Sequence, residues 1–312
     1  MLTNVEVQYY DREKLQQIFT ELFRQHGWLA RLRERGTRVL LKPNFVMASA
    51  PGNTSTTHPD FYMALAQMLI AQGFTVGIGE SPAFGSCTGA LRAHGVLEQA
   101  LAGGIEVVEF SKVQTYAGVV DERFYRELSV AAELDDWDSV INLPKLKTHR
   151  QFVFTGATKN LYGCVVGKRK FFRHNVCGND PVRFARMVIA NAMQVNCVLH
   201  IADGVEAMHV NGPRGGAPYL LGQILASPDP LLLDWTFCKM VGLEPNTTPL
   251  FAALDTHRQE QLHRAWARHC QDLPVVSDFI HAPFMHISFS PWALARSCVR
   301  SIRHGLGLQV GV

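Results

Sequence analysis

A chain of 312 residues, 47% hydrophobic and only 18% charged, can bury a substantial core as one large domain or two lobes, which argues against a disordered or fibrous protein. The formal charge of +3 is modest, and the basic residues gather between Lys145 and Arg173 and near the C-terminus, so small anionic ligands are expected and general nucleic-acid binding is not. Seven cysteines, odd in number and without a C-x-x-C pair, argue against a disulfide framework, a zinc ribbon or a built-in iron–sulfur cluster.

In chain order, Asp11 is placed to cap an amphipathic helix running to about Leu32, with Leu15, Ile18, Phe19, Leu22 and Phe23 at helical spacing. Thr37 to Leu41 reads as a buried strand ending at Lys42-Pro43-Asn44. A polar loop leads to a helix from Pro59 to about Ala71, with proline at its first position and Gly73 at its end. Thr75 to Gly79 is the next strand, Ala90 to Leu101 a helix, and Ile105 to Phe110 a third strand. After an irregular, partly antiparallel stretch from Ser111 to Val130, Ser139 to Leu143 forms another buried strand. Phe184 to Gln194 reads as helix, Val198 to Ala202 and Leu220 to Ala226 as strands, and Asp229 to Val241 as an apolar helix with Pro230 at its first position. The pattern predicts an α/β fold: a mostly parallel sheet with helices on both faces. Residues 1–243 form the α/β domain, with a split into two lobes open near 111–138, and 244–312 a helical and irregular C-terminal segment.

In such sheets ligands sit outside the carboxyl ends of the strands, and the polar segments fall there: Lys42 and Asn44, Glu80, Lys145 to His149, and Asp203-Gly204. A backbone turning on Gly156 and starting a helix at Ala157 would aim free N–H groups at an anion, with Lys159 adding a full charge and Asn160 beside it. Lys145 and Lys147 are read as anion binders, with a solvated positive face as the plain alternative. Arg214, in a flexible Gly-Pro-Arg-Gly-Gly loop, can clamp a carboxylate from above. His149 and His174 flank the turn, and nearby lysines would keep their imidazoles neutral and fit to move a proton or bind a metal; solvated loop histidines are the alternative. Glu80 is a candidate general base. Asp203 is either a turn residue, a partner for His149 or a metal ligand. Gly77-Ile78-Gly79 lacks the remaining spacing of a dinucleotide fingerprint, so NAD is not expected.

The segments LLKPNFV (40–46), THPD (57–60), GIGESP (77–82), LPKLKTH (143–149), TGATKNLYGCVVGK (155–168), IADGVEAMHVNGPRGG (201–216) and ILASPDPLLLD (224–234) resemble, in order, the uncharacterised-domain family numbered 362, over about Arg38 to Asp234. Many members of that family also carry a ferredoxin-like cysteine segment, which this chain lacks. A fainter resemblance joins residues 149–174 to nickel-pincer lactate racemases. It implies His149 as acid/base, Lys159 as the cofactor-attachment lysine and His174 as a metal ligand, while the remaining racemase motifs do not align.

These observations lead to the expectation of an enzyme with a basic pocket for a small carboxylate or phosphate, working by proton transfer or by metal-assisted redox or isomerisation chemistry. His149, Lys159 and Glu80 are its catalytic candidates. Lys42, Asn44, Lys145, Lys147, Gly156, Asn160 and Arg214 would hold the anion, and His174 and Asp203 a divalent metal, whether nickel, iron or zinc. The alternative is a non-catalytic carrier of an anionic metabolite or cofactor. No secretory signal and no run of about 18 apolar residues is visible, so a cytoplasmic address without a transmembrane segment is expected. Residues 291–308, basic and amphipathic, suit either a packed terminal helix or peripheral membrane contact, and a homo-oligomer is compatible with everything above.

Overall fold

Val39, Leu40 and Leu41, like Val140 and Ile141, are buried without alternation, because both faces of the strands they form are covered. The computed structural model describes residues 2–82, 85–121, 125–167, 170, 177, 180–269 and 273–285. Strands β1 (Thr3–Glu6), β2 (Arg38–Pro43), β3 (Thr75–Glu80), β4 (Glu106–Glu109), β7 (Ser139–Leu143), β10 (Cys197–His209) and β11 (Ala217–Ser227) form the main sheet in the order β1-β11-β10-β7-β2-β3-β4. From β10 to β4 the pairing is parallel, while β11 and β1 add antiparallel strands at one edge. A separate antiparallel hairpin, β5 (Val113–Asp121) and β6 (Tyr125–Ala131), accounts for the irregular stretch read from the sequence.

On one face, α1 (Arg12–Gln25) and α3 (Pro59–Ala71) pack Phe19, Phe23, Phe61 and Leu65 against Leu41 and Ile78. On the other, Leu40 and Val140 meet Phe110, Trp137, Leu161 and Cys164. Asp11 caps α1 by accepting from the Lys14 N–H, and the His58 ring does so for α3 from Asp60. The expected helix to Leu32 is instead two. Gly27, at φ +64°, breaks it before α2 (Trp28–Arg35), a backbone state that glycine reaches without steric cost. Gly95 similarly divides the expected 90–101 helix into α4 (Cys87–Ala93) and α5 (Leu97–Ala102).

The largest departure from the sequence reading is at Pro144. Lys145 to His149 is not a loop but β8, a continuation of β7 past the proline that lacks an N–H. Thus β10, longer than expected, pairs first with β7 and then, through Asp203 and Met208, with β8. A short β9 (Val153–Thr155) returns antiparallel to β8 and leads into α6 (Ala157–Leu161). Further helices are α7 (Pro181–Met193), α8 (Pro230–Met240), α9 (Pro249–Ala252) and α10 (Thr256–His269). Phe251, Leu262 and Phe279 of the C-terminal segment share a core with Phe154, Trp235 and Phe237.

Candidate functional site

Strand β8 carries Lys145, Lys147 and His149 at alternate positions, hence on one side of the strand. All three are buried, and each ammonium group is held by acceptors from other elements. Lys147 Nζ donates to Asn44 Oδ1 at 2.8 Å and to the Ser55 carbonyl at 2.6 Å. Burial, and then the charges of Lys159 and Lys145, hold its pKa well below the usual lysine range. Lys145 Nζ instead donates to Asp203 Oδ2 at 2.9 Å and to the Tyr10 hydroxyl at 2.7 Å.

At the ends of β2 and β3, Lys42 and Glu80 form a fully buried ion pair, and Lys42 also donates to the Pro43 carbonyl at 3.0 Å and to Asn160 Oδ1 at 3.3 Å. Asn160 is the hub that joins α6 to the strand ends. Its oxygen accepts from Asn44 Nδ2 at 2.6 Å, and its amide nitrogen donates to Asn142 Oδ1 at 2.7 Å. Asn142 in turn donates to the Ala157 carbonyl and contacts the His200 ring, whose pKa burial lowers to about 3.

Above this network lies a cleft of about 150 Å³ lined by Asn44, Glu80, Ser81, Lys147, Thr155, Lys159, Asn160 and Lys170, with Pro213 at its border. Lys170 donates to the Ser81 carbonyl. Among the described residues Lys159 makes no hydrogen bond or ion pair; its Nζ lies 5.7 Å from the centre of the Phe152 ring. Burial lowers the pKa of both Lys159 and Lys170 to about 8. The buried Thr155 hydroxyl has no hydrogen-bond partner among the described residues. The cleft therefore holds three ammonium-bearing side chains and one carboxylate, Glu80, that is already paired with Lys42.

Several expected residues sit elsewhere. The N–H groups of Ala157 and Thr158 are not open to an external anion: the buried Asp234 carboxylate accepts both, Thr158 N at 2.9 Å. A Cβ at Gly156 would overlap that carboxylate, so this glycine admits Asp234, not a ligand. Asp203 is no open metal ligand either, because its two oxygens accept from Tyr10 at 2.7 Å, Lys145 and the His58 N–H at 2.9 Å. With those lone pairs taken, the donor set read from the sequence does not fit a metal at this carboxylate. His149 lies at the end of β8, where its Nδ1 accepts from the Gln151 N–H at 3.0 Å, outside the cleft lining. Arg214 is exposed, with its guanidinium 3.4 Å from Met47 Sδ and no carboxylate among its described partners. His174 lies outside the described residues.

Sequence reasoning missed Asp234, Lys170, Tyr10 and Asn142. A carboxylate inside the apolar run LLLDW was a usable signal, since a buried acid needs donors. Tyr10 carried no such signal. Its ring stacks on His58 at 3.7 Å, and burial followed by the Asp203 charge raises its pKa, so it acts as a neutral donor that ties the N-terminal segment to the sheet.

The fold and cleft define an α/β protein with a mostly parallel sheet and a lysine-rich recess at the strand ends. The chain belongs to the family described as a domain of unknown function, DUF362, whose profile matches residues 39–239. It is 38% identical over 246 residues to a thylakoid-associated protein of Synechocystis sp., across 79% of this chain and 76% of that protein. A crystal structure of a Thermotoga maritima protein is similar at a TM-score of 0.40 and 14% identity, covering 66% of this chain and about half (52%) of its own.

Proposed function

We propose that the protein binds a small carboxylate- or phosphate-bearing metabolite in the lysine-lined cleft and acts on it as an enzyme of proton-transfer or isomerisation type. The observation that carries the reading is the charge imbalance of the cleft: Lys147, Lys159 and Lys170 face a recess whose carboxylate, Glu80, already serves Lys42. Buried ammonium groups without a counter-charge cost several kcal/mol, and a bound anion would offset that cost. The unpartnered Thr155 hydroxyl supports the same reading, as a donor for the anion.

In chemical terms, proton removal beside a carboxylate leaves an enolate, which neighbouring ammonium groups stabilise electrostatically. Lys159, lowered by burial to about 8, is poised to accept a proton near neutral pH. Lys42, paired with Glu80, holds Asn160 in place, and His149, outside the cleft lining, would serve as a proton carrier only through a group between it and the ligand. A metal held by Asp203 is not part of the proposal, because three of its roughly four acceptor positions and its charge already serve Tyr10, Lys145 and His58.

Titration calorimetry with inorganic phosphate and with malonate, in buffers of different ionisation enthalpy, tests the reading. Expected are saturable binding, proton uptake on binding because the lysines are partly neutral when the cleft is empty, and loss of affinity in Lys147→Met. Absence of saturable binding by either anion sinks the proposal. The proposed location is the cytoplasm, either free or on a membrane surface as the relative's thylakoid association suggests; fractionating cells with and without residues 291–308 separates the two. Among the described residues no helix is long and apolar enough to cross a membrane.

A further inference from the structure

The lysines at the strand ends differ in what their nitrogens touch. Lys42 is bound to Glu80, Lys145 to Asp203 and Tyr10, Lys147 to Asn44 and Ser55, and Lys170 to the Ser81 carbonyl. Lys159 alone among these five has no acceptor among the described residues, and the ring of Phe152 beside it can neither accept a proton nor neutralise a charge. An amine that is half-buried, lines a cleft and has no acceptor among the described residues has its lone pair available once it loses a proton.

We propose that Lys159 is an amine nucleophile that forms an imine with the carbonyl group of a small 2-oxo acid held in the cleft. The proposal deepens the anion-binding reading and rests on it: Lys147 and Lys170 would hold the carboxylate, leaving the adjacent carbonyl carbon to Lys159. Space selects a small substrate. A cleft of about 150 Å³ has room for a three- or four-carbon acid.

In the step itself, the neutral Nζ attacks the carbonyl carbon, forming the C–N bond as the C=O π pair moves to oxygen. That oxygen takes up a proton while nitrogen releases one, and the carbinolamine then expels its hydroxyl as water with a second proton, giving the protonated imine. Neutral amine, carbonyl and one proton from solvent become the protonated imine and water, without oxidant or reductant. The cationic imine draws electrons from the neighbouring carbon more strongly than the carbonyl did, which eases loss of a proton there.

Availability of the neutral amine gives the magnitude. With its pKa near 8, about one Lys159 in ten is neutral at pH 7, against about one in two to three thousand for an ordinary surface lysine. Trapping should therefore favour Lys159 over exposed lysines such as Lys14 and Lys112.

The experiment incubates the full chain with pyruvate and sodium cyanoborohydride and maps the reduced adduct by peptide mass spectrometry, alongside calorimetric titration with phosphate. Expected are an adduct concentrated on Lys159 of the wild-type protein, suppression by excess phosphate, and loss of the adduct in a folded Lys159→Arg variant. Labelling spread evenly over Lys14, Lys112 and Lys159, or transferred undiminished to Lys170 in the variant, overturns the proposal. Phosphate binding with Lys159 unlabelled removes the imine and leaves the anion-binding reading standing, whereas absence of binding by both phosphate and pyruvate removes both. Should Lys159→Arg fail to fold, the wild-type map alone decides.

Discussion

Replacing Glu80 with glutamine isolates one charge at the floor of the cleft. The side chains of Lys42 and Glu80 are 0% and 3% exposed, so neither ion can turn to water when its partner is lost. Glutamine keeps the size of the side chain and an oxygen able to accept from the Ser81 N–H, now bound at 3.0 Å by Glu80 Oε1. Lys42 would retain two neutral acceptors, the Pro43 carbonyl and Asn160 Oδ1, and no counter-charge. For ions in contact and an effective dielectric constant of about 20 the lost attraction is about 5 kcal/mol, and breaking such buried pairs costs about 3–5 kcal/mol. Lys42→Met should cost a similar amount, by stranding Glu80. The double variant Lys42→Met, Glu80→Leu should recover much of the loss, because the cost of each single change is mainly that of the ion left behind. Urea unfolding at constant pH, with midpoint and slope fitted separately, measures all three. A loss below about 1 kcal/mol in Glu80→Gln, the size typical of an exposed pair, would refute the reasoning.

Two further outcomes follow from the same geometry. Burial raises the Asp234 carboxyl from 3.8 to about 7, so the folded state holds this proton more tightly than the unfolded chain does. The resulting stabilisation is fully present below pH 3.8 and is lost as pH rises through 7; relative to Asp234→Asn, the wild type should lose on the order of 4 kcal/mol over that window, checked by thermal melts of both at several pH values. Parallel curves would show that Asp234 is not the titrating group. Gly163→Ala would place a Cβ 2.5 Å from Lys42 Nζ and 2.6 Å from Glu80 Oε1, forcing apart the ion pair it meets. About 1–3 kcal/mol of stability and most of the phosphate affinity should go with it, and calorimetry showing unchanged binding would mean that this ion pair does not shape the anion site.

Periodicity and composition by themselves settled that the chain forms an α/β sheet covered on both faces. Buried runs such as Val39 to Leu41, and glycines and prolines at element ends, act over a few residues, and the structure agrees wherever such local signals dominated. They also placed Lys42, Asn44, Glu80, Lys147, Lys159 and Asn160 near one end of the sheet, because parallel strands deliver their C-terminal residues to a common edge. Which of them share a cleft was decided by tertiary structure. Continuation of β7 through Pro144 into β8 carried Lys145 to Asp203 and Lys147 to Asn44, separating two lysines that read alike in the chain. The helix N-terminus at Ala157, an anion site by its sequence, was taken by Asp234 of α8, far later in the chain. Burial and charge pairing depend on residues far apart in sequence, so the chain written out shows which groups can ionise, while packing fixes which of them meet a partner and which, like Lys159, are left facing the space between.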